Sequence, residues 1–456
     1  MNARCGALVA LLVLGPATLD AQTTNPFLGS VPKGTASAQP LPLSIKEALK
    51  LALDNNLGLL LQEESVRQAH GARWRALEDL LPNVSGSLNE RRQVLNLEAF
   101  GFPVANPIVG PFNVFDARVA LSQPIVDLSA LHGSRAAGLN ESAESRGIRT
   151  ARDLVVLVTV NLYLEATTAA SRIAVAQAQL DTAQALLQQA SDLKASGLIA
   201  GVDVLRAQVQ VQNARQRSIV ADNEFEKSKL QLAHAIGLPV GQTFTLSDKV
   251  PYAPLQDISI ENALKRAYDT RSDYLAAQDR VAAAEATRKA AGAELLPSLR
   301  FDADYGTIGQ TAGEAHPTYT VAATVHVPIF EAGRAQARRL EAEADLNRRR
   351  AELDNLKGQI DLDVRTALLD VRAASQQLEA AQTSVTLANQ ELDQARDRFA
   401  AGVASNLEVT QAQESVASAS ETYIAALYAH NLAKATLARA VGIAESAVVQ
   451  YLGGIQ

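Results

Sequence analysis

The chain has 456 residues, 47% of them hydrophobic and 20% charged, which makes it too long for one simple compact domain and too apolar to be disordered. Its net charge of -7, with no lysine/arginine block, excludes the electrostatic footprint of a nucleic-acid binder. Aromatic residues are only 4%, so alanine carries much of the apolar content, and that favours helices packed closely along their length.

Arg4, the apolar run Ala7 to Leu14 and the small residues up to Ala21 read as a secretory signal over residues 1–21. The only cysteine, Cys5, falls inside it and lacks a lipoprotein pattern, so the mature chain is expected to have no disulfide and no lipid anchor of that type. No later stretch reads as a transmembrane helix; Leu154 to Val160 is too short. Residues 22–42, rich in Pro, Gly, Ser and Thr, read as a flexible leader.

From Leu43 the chain is an internal duplication, with repeats over 43–257 and 258–456. "LSIKEALKLALDNN" (from Leu43) matches "ISIENALKRAYDTR" (from Ile258), "LLPNVSGSL" (from Leu80) matches "LLPSLRFDA" (from Leu295), and "QPIVD" (from Gln123) matches "VPIFE" (from Val327). The halves differ mainly by an insertion near 96–112, read as a longer loop. Each half predicts a helix, two strands, a very long helix, a glycine turn and a returning helix.

The strand runs, about 83–95, 112–124, 298–306 and 318–328, alternate apolar and polar residues. Phe115, Val119 and Leu121 fall on one face of the first pair; Phe301, Tyr305, Val321 and Val325 do so in the second. Asp116, Arg118, Asp302 and Asp304 fall on the other. Runs of about ten residues suit tilted transmembrane strands, and the apolar residues are candidates for lipid contact. Four strands cannot close a barrel whose smallest membrane form has about eight, so closure needs two or three chains.

The long helices carry a seven-residue repeat with a small partner three positions on. Ile173, Leu180 and Leu187 alternate with Ala176, Ala183 and Ala190; Leu378, Val385, Leu392 and Phe399 alternate with Ala381, Ala388, Ala395 and Gly402. This predicts left-handed supercoiling with close helix approach. The run 129–196 is long enough for a helix on the order of 100 Å. The run Arg348-Arg349-Arg350, set among acidic residues, reads as a solvated helix face.

These paired repeats, "LSQPIVD" and "VHVPIFEAG" at the strand-to-helix junctions, and the tips "ASGLIAGVDVLRAQ" (from Ala195) and "RFAAGVASNLEVTQAQ" (from Arg398) resemble the TolC-like outer-membrane factor family, the outer membrane efflux proteins. The resemblance covers the chain from about Leu43 to its end. It implies a mostly α fold with membrane β: a homotrimer joining a twelve-stranded outer-membrane barrel to a periplasmic α-barrel of coiled-coil hairpins. The function it implies is a passive exit duct of a tripartite efflux or type I secretion system. Its partners would be a periplasmic adaptor (membrane fusion) protein, an inner-membrane pump of RND, ABC or MFS type, and outer-membrane lipid. Adaptor contacts would fall at Gly197, Leu198 and Ile199 and at Gly402, Val403 and Ala404. The glycines are expected to allow the tight turn and close backbone approach, or simply to end helices. The constriction at the periplasmic mouth would fall at Asp203, Glu408 and Gln411. Asp203 reads equally as an N-cap, and Glu408 as a first-turn carboxylate behind an Asn406 cap. The family's basic latch position is occupied by Ala404, and the latch's aromatic partner falls at Phe399.

No phosphate-binding loop, His/Cys metal cluster or nucleophile elbow is present, so no catalysis, metal or cofactor is expected. The competing reading is a soluble periplasmic coiled-coil adaptor or scaffold, which two amphipathic strand pairs argue against.

Overall fold

The computed structural model describes residues 25–101, 105–197, 199–248, 253–255, 258–330, 333–401, 403 and 406–452. The expected signal segment, 1–21, lies outside them. In chain order the first half comprises β1 (Leu41–Leu43), α1 (Ile45–Asn55), α2 (Leu57–Glu78), β2 (Asn83–Asn96), β3 (Ile108–Val126), α3 (Leu128–Ala195), α4 (Gly201–Ile236) and β4 (Phe244–Leu246). The second comprises α5 (Ile260–Thr270), α6 (Ser272–Ala293), β5 (Ser298–Gly309), β6 (His316–His326), α7 (Arg334–Ala400), α8 (Asn406–Ala440) and α9 (Ala444–Tyr451).

The single helix expected before each strand pair is two helices. At Asn56 the backbone is extended (φ -65°, ψ 129°), ending α1 and capping α2 by accepting from Leu59 N–H. Its amide also donates to the carbonyls of Phe27 (2.8 Å) and Gly29 (3.1 Å). Arg271 breaks α5 from α6 with the same geometry (φ -63°, ψ 115°). The leader reading also changes. Of residues 22–42, the described part is held against the α1–α2 break: Val31 N–H donates to Asn55 O, Lys33 Nζ to Asp54 O, and β1 pairs in parallel with β4. Hydrogen-bond partners that lie far along the chain were not visible in its Pro/Gly/Ser composition.

The 68 residues of α3 make a rod on the order of 100 Å, started by Asp127, whose carboxylate accepts from Ala130 N–H at 2.9 Å. By length and composition α3 also contains a window apolar enough to cross a membrane, contrary to the sequence reading; half of that window is buried inside the fold. The reason is packing: Val155, Val156, Val160, Tyr163 and Leu164 join Ile45, Leu232, Ile236 and Val448 in a core at the equator of the molecule. A second core joins α5, α7 and α8 through Ile360, Val364 and Leu437. Farther along, the seam narrows to its alanines: Ala176, Ala183, Ala190, Ala207, Ala214, Ala381 and Ala388 are all buried, while Leu180 and Leu187 are only half-buried. Small side chains bring the helix axes close.

The four long strands form one antiparallel sheet in the order β2-β3-β5-β6. The insertion is not simply a loop. It extends the first hairpin, with Gln93 opposite Phe112 and Asn96 opposite Ile108 beyond a bulge, whereas β5 stops opposite Phe115. The expected loop residues 108–112 therefore lie in strand; residues 102–104 lie outside the described residues.

Candidate functional site

Cross-strand partners point to the same face of a sheet. Val119 lies opposite Gly86 and Tyr305, Tyr305 opposite Tyr319, Leu121 opposite Ala303, Ala303 opposite Val321, and Leu299 opposite Val325. The register thus puts Phe115, Val119, Leu121, Phe301, Tyr305, Val321 and Val325 on one face. Val119, Tyr305, Val321 and Val325 are all more than half exposed in the isolated chain. The other face is polar and cross-linked. Arg118 donates to Asp304, to Asp116 (3.3 Å) and to Thr318 Oγ1 (3.4 Å), reaching across three strands; Ser122 donates to Asp302 (2.6 Å). Gly306 makes this possible: a Cβ there would stand 2.4 Å from Ala117 O and 2.8 Å from Arg118 Cα.

At the opposite end of the long helices lie the two tips. In the first, α3 closes through Ser196 and Gly197, and Gly197 takes the left-handed conformation (φ +75°). Nothing stands within 4 Å of a Cβ built there. Within the described residues of the chain the glycine answers a backbone requirement. Ile199 packs beside Ala190, Val204 and Ala207. Ala200 is the N-cap of α4, and Asp203 is its third residue, so Asp203 is not the N-cap; its carboxylate pairs with Arg206 at 3.2 Å. In the second tip Glu408 is likewise the third residue of α8, Val403 is 69% exposed and Gln411 is exposed. Phe399 is buried against Leu186, Leu392, Val409 and Ala412. Leu198, Gly402 and Ala404 lie outside the described residues, as does the side chain of Asn406.

Sequence reasoning missed Arg398, whose guanidinium sits 3.7 Å from Glu408 across the second tip. A basic residue several positions before the glycine was a signal that could have been read. It also missed Lys434, fully buried on α8 and donating to Ala253 O at 2.8 Å; burial pushes its ammonium down to about 8. Among the described residues no group of His, Cys, Asp and Glu could hold a metal ion.

A sheet apolar on one face and charged on the other continues into long paired helices with two reversed tips, and the family model for "outer membrane efflux protein" matches residues 48–238 and 263–443. The chain belongs to the outer membrane efflux protein family. It is 27% identical over 446 residues to the pyoverdine export outer membrane protein OpmQ of Pseudomonas putida, covering 90% of this chain and 91% of that one. It is 26% identical over 399 residues to the outer membrane protein OprJ of Pseudomonas aeruginosa, covering 81% and 78%. Among solved structures, a membrane protein of Pseudomonas aeruginosa superposes with a TM-score of 0.78 at 20% identity (92% of this chain, 97% of that one). The outer membrane protein VceC of Vibrio cholerae gives 0.75 at 17% (87% and 96%). This outer membrane efflux protein is therefore an exit duct of an efflux system, located in the outer membrane with a periplasmic portion, in a family of channel proteins.

Proposed function

We propose that three copies of the chain close into a continuous conduit, a twelve-stranded barrel above a helical tunnel, that passively receives cargo from a periplasmic adaptor and an inner-membrane pump. The observation that carries this reading is the four-stranded sheet, whose outer strands β2 and β6 each have one partner strand among the described residues. Unpaired edges in a membrane are too costly to leave open. β2 and β6 run antiparallel to each other, so β6 of one copy can continue the ladder onto β2 of the next. The helices support the same closure: α3 packs on α8 within the chain, while α4 and α7 flank them with exposed Val209, Ile219, Leu230, Leu362, Leu369 and Leu387. In the closed assembly Phe115, Val119, Leu121, Phe301, Tyr305, Val321 and Val325 face lipid, and Arg118, Asp302 and Asp304 line the water-filled bore.

The tips form the mouth. Asp203, Glu408 and Gln411, three times each, narrow it and favour cations. Arg206 and Arg398 neutralise part of that charge from within each hairpin, in place of the latch missing at Ala404. Gly197, Leu198, Ile199, Gly402, Val403 and Ala404 meet the adaptor, with exposed Val403 the most available of the described ones and Ile199 already packed on its own seam. Pyoverdine, named for the OpmQ relative, is the first cargo to test. Purified protein in planar lipid bilayers is expected to give stepwise conductance increments that Asp203→Asn with Glu408→Gln makes less cation-selective. Absence of steps from correctly inserted protein would defeat the proposal.

A further inference from the structure

The duplication leaves one helix face without its counterpart. Within the chain α2 packs on α3, α3 on α6 and α6 on α7. The repeat makes α2 and α6 equivalent, with Leu57 matching Ser272 at their first residues, and α3 and α7 equivalent, with Ala195 matching Ala400 at their last. The α3–α6 contact therefore has an equivalent, α7 on α2, that the chain cannot make with itself because α3 and α6 stand between them.

The two sides of α2 and α6 can be told apart by their bonds. Toward α3, α2 presents Gln62, His70 and Arg73, which meet Glu144 and Glu141. The residue of α6 matching His70 is Glu285, which accepts from Arg350 of α7, so this side is used in both repeats. The other side of α6 carries Asp279, whose carboxylate accepts from Ser142 Oγ (2.7 Å) and Arg146 Nε (2.6 Å) of α3. Along it Ser272, Ala276, Asp279, Ala283, Ala286 and Ala290, spaced by four and three, are buried or half-buried. Their equivalents on α2, Leu57, Leu61, Glu64, Gln68, Gly71 and Arg75, are all exposed. Since α3 covers this side of α6, the bare stripe on α2 is a lateral face.

The matching face of α7 is bare too. Ser142, Ala143 and Arg146 of α3 correspond to Asn347, Arg348 and Ala351, all exposed. Two exchanges fit the faces to each other. Ala276 becomes Leu61 while Arg146 becomes Ala351, so bulk lost from one helix returns on the other. Ala143, fully buried, becomes Arg348, which brings Glu64 the cation that Arg146 brings to Asp279. In the isolated chain Glu64 pairs with Arg67 and Arg348 with Asp345 and Glu352, each on its own helix.

We infer that the stripe from Leu57 to Arg75 docks on α7 of a second copy of the chain, in the register that α6 uses on α3, with Glu64 against Asn347 and Arg348 of the neighbouring copy. The arginine run that reads as a solvated face in the sequence thus belongs to an interface. The inference rests on the closed-duct reading and adds to it a specific helical seam with its register.

Cys5, the only cysteine, lies in the expected signal, so introduced thiols pair only with each other. The full chain carrying Glu64→Cys with Asn347→Cys is oxidised in outer membranes with copper phenanthroline and run on non-reducing gels. Covalent dimers and trimers that dithiothreitol dissolves are expected. Glu64→Cys with Lys357→Cys, about 15 Å farther along α7, should give none. Cross-linking of the shifted pair in preference to the first would overturn the register. Native mass spectrometry of the same samples separates the readings: three copies with no cross-link from the first pair sinks the seam alone, and any other stoichiometry sinks the duct. Charge reversal tests the ion pair. Glu64→Arg should lower the heat-resistant oligomer severalfold, and Arg348→Glu in the same chain should restore it. Failure of the double variant to recover would overturn the pairing of Glu64 with Arg348.

Discussion

Replacing Arg271 with methionine tests how the equator is held together. The guanidinium is 10% exposed where α5 breaks into α6. It donates to both oxygens of Asp273 (3.1 and 2.7 Å), to Asp363 (3.0 Å) and to the carbonyl of Ala440 (3.4 Å), joining three helices at one point. Methionine fills much of the space but strands two carboxylates that are 28% and 31% exposed. Removing one partner of a buried pair costs roughly 3–5 kcal/mol. Each carboxylate keeps another donor, Tyr274 N–H for Asp273 and Gln359 for Asp363, and water reaches both, so about 2–3 kcal/mol is expected here. That is roughly a hundredfold in the unfolding equilibrium. Burial pushes the Asp273 carboxyl up, but the hydrogen bonds and charge of Arg271 outweigh it and hold the group below its usual value. A lowered carboxylate contributes stability that is fully present above its unfolded pKa and is lost as pH falls through the folded value. The deficit of Arg271→Met should therefore be complete at pH 7 and shrink below about pH 4. Urea unfolding of detergent-solubilised protein, followed by helical circular dichroism, reads both effects. An unchanged midpoint at neutral pH, or the same deficit in acid, would refute the reasoning.

Other outcomes follow from single contacts. Val119→Arg puts a charge on the apolar face and should cost roughly 2–4 kcal/mol if the residue lies near the bilayer midplane, seen as loss of heat-resistant oligomer on gels; Thr320→Arg, on the polar face, should leave the oligomer intact. Gly306→Ala should depress the yield of folded protein in outer membranes because its Cβ meets the Ala117 carbonyl, whereas Gly197→Ala should only speed amide exchange at the first tip, at about 1 kcal/mol of backbone cost. Arg398→Ala removes a positive charge beside Glu408 and should raise the cation-to-anion permeability ratio in bilayers, with little effect on stability. Burial lowers the Lys434 ammonium to about 8, so the unfolded chain binds its proton more readily and stability should rise with pH between about 8 and 10. Lys434→Met should flatten that rise in a pH series of urea midpoints.

What could be read from the sequence was what repeats. Alternation along Phe115 to Ser122 and Leu299 to Tyr305 set the two faces of the sheet, and the alanine at every seventh position set the helix seams. What could not be read depends on groups distant in the chain. Asn56 and Arg271 look like ordinary polar helix residues until the carbonyls of Phe27 and Gly29, or the carboxylate of Asp363, are brought to them. Proline and glycine in the leader signalled irregular backbone, and irregular backbone need not be loose. At the tips, counting from the glycine located Asp203 and Glu408 but not the helix start, so Asp203 looked like a cap when it is a first-turn carboxylate facing Arg206.

The notion beneath all of this is that one chain supplies a third of a closed wall. Native mass spectrometry of the protein released from outer membranes in mild detergent measures that stoichiometry directly. A single species of three copies is the result required; a monomer or a dimer under conditions that preserve conductance would contradict the account.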